Sequence, residues 1–183
     1  MAVIKDVGRR LALAAPPCQL ATPAEVATWL GSWAPALVGV DAPRCLGDHP
    51  SRHDGERVLA RQVCRLRYTP TREALLRQRT TGAPRYYEWI EHGLELYGAL
   101  TAEGLRAIEA FPTAAWTRWL GPRGSEPRAQ WSRRALGRFK VRGVPEILNQ
   151  DCRDAIGAAM TARAHELGRT EVFGDIVVPL PAC

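Results

Sequence analysis

Val38-Gly39-Val40-Asp41-Ala42-Pro43 (V-G-V-D-A-P) is the stretch on which the fold turns. Leu37 to Val40 is an apolar run with valines at two of its positions, the composition of a buried strand. Asp41 closes it, and Pro43 forbids a regular continuation. A carboxylate at the tip of a buried strand stands where α/β proteins collect ligands, outside the carboxyl ends of their strands. A turn-forming aspartate is the bland alternative. Further acidic residues in matching settings weigh against it.

Working back from Asp41, Thr22-Pro23-Ala24-Glu25 is a helix start: threonine at the cap, proline at the first position, glutamate three after the cap. Val26, Trp29, Leu30 and Trp33 give that helix an apolar face. Before it, Val3–Ile4 and Leu11–Ala14 flank a turn at residues 5–10 and predict a β-hairpin. Hairpin, helix and buried strand open an α/β fold.

Working forward, Glu56–Tyr68 and Thr71–Arg79 repeat apolar residues at a period near 3.6. Pro84 opens a third helix containing Tyr86, Tyr87, Trp89, Ile90, Leu94 and Tyr97, read as packing aromatics. Leu105–Phe111 (L-R-A-I-E-A-F) is a second short strand stopped by Pro112, with Glu109 inside it. A glutamate there is costly unless it is paired with an arginine or bound to a metal. Thr113–Leu120 is a short helix carrying Trp116 and Trp119. Residues 122–143, rich in Pro, Gly and Arg with Trp131 and Phe139 interleaved, read as a surface segment, helical from Ser132. Its basic residues, Arg133 and Arg134 among them, suit either a nucleic-acid groove or a solvated loop. Asp151 then reads as the N-cap of a helix that holds Asp154 in its first turn, where a carboxylate gains from the helix dipole. Gly168 stops that helix, and Val172–Leu180 is a strand-like tail.

The 183 residues suffice for one domain with a real core. No apolar run approaches the ~20 residues of a bilayer span, so no membrane partner is expected. Five cysteines without C-x-x-C spacing fit free thiols and a cytoplasmic setting. The net charge of +6 favours polyanionic partners, and only Lys5 and Lys140 are lysines. Arginine forks match phosphate geometry, although a GC-rich coding sequence accounts for the same bias. Cys45, His49, His53 and Cys64 are a further set of possible zinc ligands, at a spacing that matches no recognised pattern. No P-loop, G-x-S-x-G or G-x-G-x-x-G occurs.

The V-D-A-P strand end, the R-x-x-G-E-R stretch, I-E-A-F-P, D-x-x-D-A-x-x-A-A-x-T-A and V-F-G-D-I-V-V-P come in one order. Together they resemble the domain of unknown function 429 family, predicted RNase H-like nucleases, from about Val3 to Pro179. The D-A-I-G-A-A-M-T segment is also similar to the last acidic motif of Holliday-junction resolvases. The resemblance implies an RNase H-like mixed β-sheet flanked by helices, a single domain over 1–183 with a helical insertion at about 56–104. It implies Asp41, Glu109 and Asp154 as catalytic ligands of Mg²⁺ or Mn²⁺, with Asp151 as a secondary metal ligand. Arg52 and Arg57 would contact phosphates of DNA or RNA. The family's first strand, with its G-I-D or G-V-D aspartate, has no counterpart ahead of the hairpin, so the domain reads as N-terminally incomplete. Asp6 is the alternative fourth acid. Two functions follow: a two-metal-ion nuclease, or a catalytically impaired module that binds nucleic acid or a protein partner.

Overall fold

A computed structural model describes residues 1–8, 10–80 and 87–182, the side chain of Arg79 excepted. Pro84 and Tyr86, expected at a helix start, lie outside them. The expected hairpin is β1 (Ile4–Val7) and β2 (Arg10–Leu13), an antiparallel pair of its own. Helix α1 (Pro23–Gly31) starts on the expected capping box, with Thr22 accepting from Glu25 N–H and the Glu25 carboxylate accepting from Thr22 N–H. Strand β3 (Val38–Val40) follows, then α2 (Pro50–Gln62), α3 (Arg72–Thr80) and α4 (Glu88–Ala102). Pro50, at the first position of α2, moves its start ahead of the expected Glu56. Strand β4 (Ala107–Ala110) leads into α5 (Pro112–Leu120) and α6 (Arg128–Phe139). The last elements are α7 (Gln150–Glu166), β5 (Thr170–Phe173) and β6 (Ile176–Pro179).

The main sheet runs β3-β4-β6-β5, parallel except for β5 at one edge. The architecture is α/β, a mixed sheet flanked by helices. The expected tail is therefore a hairpin whose second strand is interior: all four residues of β6 are buried, as an apolar run covered on both faces must be.

The two faces of the sheet sort the acidic residues. Gly39 of β3 lies so close to α7 that a Cβ would overlap the Ala158 carbonyl. Val38 and Val40 point the other way, into a core with Leu30 of α1 and Tyr97 and Leu100 of α4. Glu109 is the register partner of Val40 and shares its face.

Residues 122–143 depart from the surface reading. Most of the segment is α6, and Trp131, Ser132, Ala135 and Leu136 are buried on one side of it. They pack with Trp116 and Trp119 of α5 and Ile156 and Met160 of α7. The outward arginines masked that face in the sequence. Asp151 is not the cap of α7: Asn149 is, accepting from Cys152 N–H at 2.8 Å.

Candidate functional site

A cavity of about 910 Å³ separates the two sheets edge to edge. Ile4–Asp6 of β1 stand on one side and β3 on the other, with α1 and α7 among its walls. Strand β3 is the edge of its sheet. Its Val38 N–H donates to Arg106 O on the β4 side, so by the alternation of a parallel ladder the Gly39 amide faces the cavity.

Asp41 lies in the wall of this slot and of a smaller cavity of about 290 Å³ beside Arg52 and Glu109. Its residue surface is exposed, and both cavities border it. Among the described residues nothing donates a hydrogen bond to it. Its enclosed position, then the Asp154 carboxylate, push its pKa up to about 7; Arg128 opposes, and Glu109 and Asp151 add to the rise.

Asp154 is brought to the same slot, on the first turns of α7. Three donors hold it: Trp116 Nε1–H at 3.0 Å, Gln150 Nε2–H at 2.9 Å and Arg128 at 2.9 Å. The Trp116 ring reaches it by lying over Gly157, where a Cβ would stand 2.5 Å from the indole. The small residues of D-A-I-G-A-A are the sequence trace of that contact. Asp151 is exposed at the mouth of the slot.

Glu109 borders the smaller cavity with Asp41 but not the slot that Asp41 shares with Asp154. It is buried on the opposite face, ion-paired to Arg52 and accepting from Arg44 N–H at 2.9 Å. Burial raises its pKa, and Arg52 works against that rise. Arg52 also pairs with Glu56 at 2.8 Å, and Thr69 N–H and O–H close the Glu56 carboxylate. Burial alone would lower the Arg52 pKa; Glu109 and Glu56 reverse that and hold it charged. With 3% of its surface exposed, Arg52 offers nothing to a phosphate, contrary to expectation. Arg57, Arg133 and Arg134 are exposed as expected, and Arg134 is paired with Glu126 at 2.7 Å.

Asp6 is not the fourth acid of this cluster. It pairs with Arg163 at 2.7 Å, nine residues along α7 from Asp154, or about 13 Å at the rise of a helix. The spacing-based zinc set also divides. His53 stacks near Tyr68 and Cys64 bonds Thr117, while Cys45 and His49 meet Asp175, which sequence reasoning missed.

The sequence pattern of a family described as "Protein of unknown function (DUF429)" matches residues 1–177. The chain belongs to the DUF429 family. The matched residues take in the β1–β2 hairpin, Asp41 and Asp154. No curated protein and no solved structure matches this DUF429 chain. Among its described residues no helix is long and apolar enough to cross a membrane.

Proposed function

We propose that this chain is an RNase H-like nuclease that hydrolyses nucleic-acid phosphodiesters with Mg²⁺ or Mn²⁺ held at Asp41 and Asp154. The observation that carries the reading is the Asp41 carboxylate: without a donor among the described residues, opening to the slot, and set near like charges from Asp154, Glu109 and Asp151. Such a group gains more from a hard cation than from any neighbour it has. The donor set fits one ion. Asp154 Oδ2 accepts only Arg128 and keeps capacity for a ligand, and Asp151 is free to approach. Glu109 does not fit as it stands, because Arg52 holds it on the other face.

A divalent ion would supply positive charge against the scissile phosphate and its leaving oxygen. Arg128 lies beside the same carboxylates with its side chain 46% exposed, and offers a planar guanidinium to a phosphate bound there.

A second reading, the impaired module that binds nucleic acid or a protein partner, is favoured by the neutralisation already in place. Arg52 satisfies Glu109, and three donors satisfy Asp154.

Mn²⁺ titration by calorimetry, run beside cleavage of labelled DNA and RNA, tests both. The 183-residue chain is expected to bind one ion weakly and to cleave weakly or not at all. Asp41→Asn should lower the Mn²⁺ affinity by about tenfold or more and abolish any cleavage that the wild type shows. Mn²⁺ binding that is absent from the wild type, or unchanged in Asp41→Asn, would overturn the nuclease reading and leave the module.

A further inference from the structure

We propose that Cys45, His49 and Asp175 form a zinc-type metal site, separate from the acids of the slot and independent of the nuclease reading. One ligand atom from each lies within 4.8 Å of the others, and among the described residues no other three potential ligands meet so closely. They come from three parts of the chain: the loop after β3, the residue that precedes α2, and the β5–β6 turn.

Their backbones are locked together by close packing. A Cβ on Gly174 would overlap the Ser51 carbonyl, and one on Gly55 would overlap the Phe173 carbonyl, so the first turns of α2 touch the β5–β6 turn main chain to main chain. The loop bearing Cys45 is clamped likewise: Gly47 N–H donates to Pro70 O at 2.9 Å, and a Cβ there would overlap Thr69 O. The side chains already face one another. Cys45 S–H donates to Asp175 Oδ2 at 3.2 Å, and Ser51 Oγ lies 2.7 Å from His49 Nδ1 and 3.4 Å from Asp175 Oδ2. Ser51 thus reaches two of the three ligands, as oriented outer partners of metal sites do.

The donor types select the ion. A sulfur, an imidazole nitrogen and a carboxylate oxygen suit Zn²⁺, whereas Mg²⁺ and Mn²⁺ prefer oxygen alone. Thiolate and carboxylate together neutralise a divalent charge while the imidazole stays neutral. Donors of a tetrahedral zinc site stand roughly 3.3–3.7 Å apart, given bonds of about 2.0–2.3 Å. Rotation of the exposed His49 side chain supplies the contraction from the present spacing. Three protein ligands leave the fourth position to solvent, and the ion would clip the β3 loop, α2 and the β5–β6 turn into one unit.

Co²⁺ is the probe, added to chelator-treated, reduced full-length protein. Expected is one equivalent bound, with a thiolate-to-cobalt charge-transfer band and intense visible bands of four-coordinate cobalt, all removed by one equivalent of Zn²⁺. Cys45→Ser should lose the charge-transfer band, and His49→Ala, at an exposed position that does not threaten the fold, should bind about tenfold more weakly or worse. His53→Ala, Cys64→Ser and Asp41→Asn should keep the wild-type spectrum. No charge-transfer band in the wild type, its survival in Cys45→Ser, wild-type affinity in His49→Ala, or its loss in Cys64→Ser would overturn the site.

Discussion

Removing the Arg52 guanidinium would leave the Glu56 and Glu109 carboxylates buried without a counter-charge. Arg52→Ala is therefore expected to destabilise the fold by about 3–5 kcal/mol in urea melts, the cost of breaking rather than replacing a buried pair. A loss below about 1 kcal/mol would mean that water reaches the pair. Asp41 works in the opposite sense. Its pKa rises from the unfolded 3.8 to about 7, so the native state holds the proton more tightly. The stability this contributes is complete below about pH 4 and is lost as pH climbs through about 7. In the presence of a chelator, Asp41→Asn should raise stability by about 1 kcal/mol near pH 8, slot water screening most of the repulsion, and change little near pH 4. A variant less stable than wild type at pH 8 would refute the repulsion. Asp41 and Asp154 were legible as separate candidates because each sits at a boundary that sequence marks, a proline-closed strand and a helix start, and the resemblance grouped them with Glu109. For Glu109 the side of the sheet was not legible. Its residue type fitted a ligand, but which face it takes depends on register, and register is a property of the pairing.

Gly157 sets how α5, α7 and the Asp154 carboxylate meet. Gly157→Ala puts a methyl 2.5 Å from the Trp116 ring and should displace the indole from Asp154. The expected loss is about 1–3 kcal/mol, with a shift in tryptophan emission as the Nε1–H bond breaks. Unchanged emission and stability would show that the helices slide apart freely. At this scale the elements with clear boundaries were readable: Thr22 and Glu25 announce α1, and the apolar run Leu37–Val40 closed by Asp41 and Pro43 announces β3. Helix α6 was expected from Ser132 but its buried face was not, because the buried positions are two doublets, Trp131–Ser132 and Ala135–Leu136, inside an arginine-rich segment. Asp175 gave no signal because its neighbours Cys45 and His49 are about 130 residues away along the chain.

Over the whole molecule the charge is +6, almost all of it arginine, and some of the exposed arginines are already paired. Nucleic-acid binding should weaken steeply with salt, and replacing Arg133 and Arg134 by alanine should flatten the slope of log K against log salt by up to about two. An unchanged slope would make the outer face of α6 ordinary solvated surface. The resemblance to the DUF429 family spanned nearly the whole chain, and the matched residues are 1–177. It did not reveal that the hairpin and the main sheet stand apart, because a gap between strand edges leaves no mark on either strand's sequence.

That gap makes side-chain bulk along its walls a selective reagent for this molecule. A slot of about 910 Å³ leaves open space beside the residues that face it, so a longer side chain there need not overpack the core. Ala159 faces the slot from α7 and is only half-buried, whereas the neighbouring Ala158 is buried with its carbonyl against Gly39. Ala159→Leu should therefore melt close to the wild type, and Ala158→Leu well below it. Equal losses in the two variants would mean that the walls of the slot close on each other in solution.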